Sequence, residues 1–271
     1  MFQRLRRNIA RHLFGTDPDY QDPFDDPGEQ FYARIYLKFL LGAIEQEFRS
    51  QRVKILDIGC HTGRLAIPLA RARHEVTAID SSGFHIRLAQ KRARSLEVPQ
   101  IRFLKGDAFR KARDFPPQSF DLVLCTELLY QYADYRDRMK ELLKVVRAGG
   151  LLATSHRSRF YYLSQAIVRR DYASAQGVLH HSEGELWGSY YNWQTPEELK
   201  ETYCSLGLEL VMLRPIGTFS GNGGEGMGKL CDVGALKEDE RERVLELEGA
   251  DSEEFASYGR YILVIARKPV S

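Results

Sequence analysis

Cysteine is scarce and scattered. The chain has four, Cys60, Cys125, Cys204 and Cys231, with no CxxC pair among them. That spacing argues against a disulfide framework and against a structural metal site, and fits reduced thiols in a cytoplasmic setting. Long apolar runs are absent too. No stretch of about 18 apolar residues occurs, so no transmembrane helix is expected. The opening "MFQRLRRNIARHLFG" has no apolar core of the kind a secretory signal carries. Charge of one sign is not in excess: 39 Lys and Arg face 37 Asp and Glu, a net of +2, so nothing demands a polyanionic partner. No internal repeat is visible. A chain of 271 residues with 43% hydrophobic residues is left, enough to bury the core of one large α/β domain.

Short β-branched apolar runs alternate with helical patterns. "VKILDI" (53–58), "EVTAID" (75–80), "IRFLKG" (101–106), "FDLVLCT" (120–126) and "GLLATS" (150–155) read as strands. Helices are expected near 63–73, 84–97 and 135–147. This rhythm predicts an α/β fold, a Rossmann-like and mostly parallel sheet with helices on both faces. Near the end, "TPEELKETYCSLG" (195–207) opens a helix with Thr195 as cap and Pro196 in the first turn. "LELVMLRPIG" (208–217) and "RYILVIARK" (260–268) then read as strands, the last able to pair antiparallel. Before the sheet stands an amphipathic helix within 30–50, preceded by the linker "GTDPDYQDPFDDPG". The expected organisation is an N-terminal helical extension or lid over 1–50 and one main α/β domain over 51–271, with insertions at 156–194 and 217–250. Residues 1–14 place Phe2, Leu5, Ile9 and Leu13 on one face among arginines. That is either a plain surface helix or a peripheral contact with an anionic membrane.

The first strand leads into "DIGCHTGR". Asp57 ends the strand, Gly59 and Gly63 flank Cys60, His61 and Thr62, and a helix follows. A turn of this kind presents backbone N–H groups at a helix N-terminus. A dinucleotide fingerprint would need a second glycine where His61 stands, so that the backbone could approach a pyrophosphate. An acid at Asp57 also suits an ammonium group better than a phosphate. S-adenosylmethionine carries such a group and no phosphate. Asp80, at the end of the second strand beside Ser81, can accept from ribose hydroxyls. Asp107 in "GDAF" could accept from an adenine amino group, and Cys125 and Thr126 end the fourth strand. All lie at carboxyl ends of strands, where open α/β sheets bind ligands.

With these motifs in place, the sequence resembles the class I S-adenosylmethionine-dependent methyltransferases over roughly residues 50 to 155. The resemblance implies a seven-stranded sheet with an antiparallel last strand, and methyl transfer that leaves S-adenosylhomocysteine. It makes "ILDIGCHTG" the glycine-rich motif and Asp80 the ribose acid. It also makes Asp107, Ala108 and Phe109 the adenine motif. His61 departs from the pattern, which usually has glycine there. By the same resemblance the helix before the sheet would close over the donor, with Tyr32 and Arg34 as contacts.

The segment 156–194 is rich in Tyr, Trp and Phe, which suits walls for a small organic acceptor, though the rings can equally pack the insertion itself. His156 follows the fifth strand and is the candidate general base. "GGEGMGKL" (223–230) mimics part of a phosphate loop, but Leu230 replaces the hydroxyl residue that would reach magnesium. The expected partner is therefore a small-molecule acceptor. Nucleic acid is not expected, no metal set appears, and the sequence carries no signal for an oligomeric state. A protein or tRNA methyltransferase, and a cofactor-binding module without catalysis, stand as alternatives. A dinucleotide oxidoreductase is disfavoured by Asp57.

Overall fold

The computed structural model describes residues 22, 24–49, 51–220, 231–249 and 253–270. The basic stretch 1–14, most of the linker and all of "GGEGMGKL" lie outside the described residues.

Chain order runs α1 (Pro27–Phe48), β1 (Lys54–Ile58), α2 (Ala66–Arg71), β2 (Glu75–Asp80), α3 (Gly83–Ser95), β3 (Arg102–Lys105) and α4 (Ala108–Ala112). It continues with β4 (Phe120–Cys125), α5 (Tyr135–Val145) and β5 (Val146–Arg157). An insertion of α6 (Arg159–Val168), α7 (Tyr172–His180), β6 (Glu183–Leu186) and β7 (Ser189–Asn192) follows. The chain closes with α8 (Pro196–Ser205), β8 (Glu209–Ile216), α9 (Glu238–Glu248) and β9 (Tyr261–Arg267). Seven strands form one sheet in the order β3-β2-β1-β4-β5-β9-β8. The pairs among β1 to β5 are parallel, and β9 runs antiparallel to both β5 and β8. The seven-stranded sheet with an antiparallel last strand is thus as expected. The order reverses between β1 and β4, the point at which a cleft opens beyond the strand ends.

Strand alternation divides the core in two. Ile55, Ala78, Leu122, Leu124, Leu151 and Ala153 face a cluster built with α1, α2 and α3. Leu56, Ile79, Val123, Cys125 and Leu152 face the other cluster, built with α4, α5 and α8. Strands β1, β2 and β4 are buried on both faces over most of their length, which is why they read as unbroken apolar runs rather than alternating ones.

Local chemistry fixes the helix ends. Asp26 caps α1 by accepting from Glu29 N–H at 2.8 Å, ahead of Pro27. Thr195 and Glu198 form a reciprocal capping box at α8. Helix α1 is no detachable appendage, because Phe31, Ile35, Tyr36, Phe39, Leu40 and Ile44 are all buried in the first cluster. Strand β5 starts earlier and ends later than its apolar run indicates. Gly149 and Gly150 lie inside it, where the pairing with β4 shifts register between Phe120 and Leu122. Its far end reaches Arg157, which decides the direction of His156.

The insertion leaves and rejoins the sheet at one place. Ser158 bridges to Gln194, Arg159 N–H donates to the Gln194 carbonyl at 3.0 Å, and Gln194 N–H donates to the Arg157 carbonyl at 3.0 Å. Inside it, Tyr161, Tyr162, Val178, Leu186 and Trp193 form a small core of their own. Among the described residues no helix is long and apolar enough to cross a membrane.

The burial of α1 yields a test. Ile35 has no exposed surface. Ile35→Ala should cost about 2–5 kcal/mol in urea unfolding, still in one cooperative transition. A cost below about 1 kcal/mol would show that α1 behaves as a loose cover.

Candidate cofactor site

The turn after β1 crosses over the end of β2, since Gly59 and Cys60 N–H groups both donate to the Ile79 carbonyl at 2.9 Å. Gly59 and Gly63 have φ of +77° and +87°. A Cβ at Gly63 would come within 2.9 Å of Ile67, and one at Gly59 within 3.0 Å of Leu128. Both positions need glycine on conformation and on space. His61 is also left-handed, at φ 50°, without glycine's freedom. Its N–H donates to Asp80 Oδ2 at 2.9 Å and its ring lies 3.7 Å from that of His85, contacts that offset a conformational cost of about 1–2 kcal/mol.

A cleft of about 250 Å³ opens here. Asp57, Gly59, Cys60, His61, Arg64 and Leu65 line it from the first strand and its turn. Asp80 contributes from β2, Thr126, Glu127, Leu128 and Gln131 from beyond β4, and Glu29 from α1. Asp57 and Asp80 reach it because strand parity turns both toward the α1 side of the sheet.

The acids differ sharply. Burial, reinforced by repulsion from Asp80, pushes the Asp57 pKa up to about 7, against the pull of Arg64. For Asp80, burial also acts upward. The His85 side chain and the Ser82 and His61 N–H groups outweigh it and hold the carboxyl below its usual range. Glu127 is buried as well, yet Arg64, Arg260 and Arg157 together hold its pKa down. Arg64 pairs with Glu127 at 2.7 Å and with Glu29, and Glu29 also takes Arg260 at 2.9 Å. Burial lowers the His61 imidazole to about 4, so it is neutral at physiological pH.

A methyltransferase domain model matches residues 55–150. The ubiquinone biosynthesis O-methyltransferase of Rhizobium etli is 29% identical over 59% of this chain and 61% of its own length. The enzyme of the same name from Paracidovorax citrulli is 30% identical over 64% of this chain and 71% of its own. The chain belongs to the class I S-adenosylmethionine-dependent methyltransferases. It spans under two thirds of the length of the Rhizobium relative. In fold it is similar to magnesium protoporphyrin IX methyltransferase from Synechocystis PCC 6803, at a TM-score of 0.56 and 15% identity, over 98% of this chain and 99% of that one.

Against this methyltransferase frame, Asp57, Gly59, Cys60, His61, Asp80 and Thr126 come together around the cleft, and Gly63 shapes its turn. Other expected contacts do not line it. Cys125 is wholly buried on the opposite face, where parity sends it. Ala108 and Phe109 sit in that same second core, Ser81 is exposed, and Asp107 caps α4 through Arg110 N–H at 2.8 Å. Tyr32 is buried and donates to the Ser220 carbonyl at 2.7 Å. Arg34 is paired with Glu238 and Glu242 of α9, outside the lining of the cleft. The arginine that does line the cleft is Arg64, which sequence reasoning misses although it directly follows Gly63. Glu29 carries no local signal, since its partners lie 35 and 231 residues away.

His156 requires a correction. It lies within β5 and shares its face with Thr154. Its Nε2 is 2.8 Å from Thr154 Oγ1 and 3.0 Å from the Tyr203 hydroxyl. Fully buried, its pKa falls to about 3. An imidazole so placed is a neutral core group, not a base at the acceptor side. His156→Ala should destabilise the fold by about 1–3 kcal/mol in urea titration, through the vacated space and the hydrogen bonds lost to Thr154 and Tyr203, which keep each other as partners. The folded variant should transfer methyl groups at a rate within about threefold of wild type.

Asp57 gives a pH test with a definite sign. Its folded pKa lies above the unfolded value of about 4, so the stability that its protonation contributes is full below that pH. It is lost as pH rises to about 7. A ligand bearing an ammonium prefers the ionised acid. S-adenosylhomocysteine should therefore bind tighter at about pH 8 than at about pH 6, by up to about tenfold. Calorimetric titration should show this slope in the wild type and its loss in Asp57→Asn.

Proposed function

We propose that the protein transfers a methyl group from S-adenosylmethionine to an oxygen of a small, aromatic, hydroxylated molecule. The observation that carries this reading is the acid-lined cleft at the switch point, with Asp57 and Asp80 on one face. In this reading Asp57 meets the ammonium of the amino-acid tail, Asp80 accepts from the sugar, and Leu65 and Leu128 exclude water. Bound there, S-adenosylmethionine would supply an electrophilic methyl group on a sulfonium, open to in-line attack.

The acceptor would enter from the side of the insertion, beyond Thr126 and Glu127. Asn192 of β7 donates to the carbonyls of Leu129 and Tyr132 at 3.0 Å each, tying the insertion to the segment that carries Leu128 and Gln131. Tyr130 stacks toward Tyr191, with ring centroids 6.2 Å apart. Arg157, at the end of β5, lies 4.0 Å from the Tyr161 and Tyr261 ring centroids and 5.0 Å from that of Tyr130. A wall of phenol rings around a guanidinium favours an aromatic acceptor with developing negative charge on oxygen. The relatives' shared name, O-methyltransferase, supports an oxygen acceptor. The free thiols Cys60, Cys125, Cys204 and Cys231 support a reducing, cytoplasmic setting.

Base chemistry in the cleft is thin. Glu127 is held ionised by three arginines and so accepts a hydrogen bond more readily than a proton. His61 is too weak a base, and Asp57 is engaged with the cofactor. The acceptor should therefore bring its own acidity, as a phenol does. Product S-adenosylhomocysteine should accumulate with phenols and not with alkylamines of similar size. The pH midpoint of the rate should follow the phenol's own pKa across a substituted series. A midpoint that stays fixed while the phenol is changed would place a protein base in the step. Binding of S-adenosylhomocysteine with no turnover over a broad panel would favour a binding module.

A further inference from the structure

Asp80 is crowded. Its Oδ1 accepts from Ser82 N–H at 2.8 Å and faces His85 Nδ1 at 3.3 Å, while its Oδ2 accepts from His61 N–H at 2.9 Å. An ionised carboxylate has about four lone-pair sites, so among the described residues one direction is left, on Oδ2. A ribose offers two neighbouring hydroxyls. The two backbone donors are fixed by the chain and cannot yield. The His85 contact is longer than usual for such a bond and belongs to a side chain on the first turn of α3, so it can yield. His61 stands behind it. The two imidazole rings are 3.7 Å apart and tilted by 39°. His61 Nδ1 is in turn 3.4 Å from Thr62 Oγ1, which donates to Asp22 at 2.9 Å.

We propose that His85 is a positioning residue of the sugar subsite, holding Asp80 for one ribose hydroxyl and passing to the second hydroxyl itself, with His61 as its backstop. The proposal rests on the cofactor reading of the cleft. It also accounts for the unusual residue of the glycine-rich turn, since a histidine ring at position 61 limits where His85 can swing and a glycine would not.

The test uses the full chain, S-adenosylhomocysteine and the analogue of that compound with 2′-deoxyribose, by calorimetric titration. His85→Ala should weaken S-adenosylhomocysteine by about 3–10-fold and the deoxy analogue much less, so that discrimination between the two shrinks. His85→Asn keeps a donor near the position of Nδ1 and should stay within about twofold of wild type. His61→Gly should melt at a higher temperature, because strain is relieved, yet bind S-adenosylhomocysteine more weakly. In His61→Gly, His85→Ala the two losses should fail to add. Equal weakening of both ligands by His85→Ala, or no weakening, overturns the proposal, as does additivity in the double variant. Asp80→Ala separates the two levels. If it leaves affinity unchanged, the cofactor reading itself falls. If it weakens binding while His85→Ala does not, only the role of His85 falls.

Discussion

One guanidinium joins three distant parts of the chain. Arg64, on the turn that follows β1, lies between Glu29 of α1 and Glu127 beyond β4, and Glu29 reaches on to Arg260 beside β9. These groups are largely removed from water, so each charge is tolerable only while its partners stay in place. The arrangement fixes the entry angle of α1 over the cleft and keeps Glu127 ionised in a left-handed conformation, at φ 55°. The wall of the cleft on the α1 side is therefore set by electrostatics as much as by apolar packing. An isolated β1–turn–α2 unit would present the glycine-rich turn without that wall.

The cleft is polarised by the same logic. A protonatable Asp57 sits beside a firmly ionised Asp80, so the two carboxylates do not confront each other at full charge in the free protein. A cationic ligand resolves the tension by taking the place of the proton. A phosphate would aggravate it. The charge pattern of the two acids thus favours a cationic ligand over a phosphate.

Much of the fold is legible in the sequence, and the reason is periodicity. The parallel strands appear as short unbroken apolar runs, and the acids Asp57 and Asp80 stand at their ends. Parity is harder to read. The pattern puts His156 beyond its strand because "GLLATS" looks complete at Ser155, whereas β5 pairs with β9 through Arg157. A strand longer by two residues puts His156 on the α8 face with Thr154, and leaves Ser155 and Arg157 on the side of the cleft. The same parity buries Cys125. Arg64 and Glu29 meet only through tertiary packing, so no local pattern announces them. The aromatic richness of 156–194 is visible, but not its division: some rings fill the insertion's own core, while Tyr191 turns toward Tyr130.

The insertion begins at Ser158 and ends at Gln194, and those two residues are bridged to each other. A segment whose ends already touch puts no geometric demand on its length or on what lies between. Loop-closure cost grows only slowly with added residues, so this excursion can be lengthened, shortened or exchanged while the sheet edge beneath it stays intact. The sheet with its acid-lined cleft and the insertion are thereby free to diverge at different rates. The inserted module can be rewritten without disturbing the acids that line the cleft.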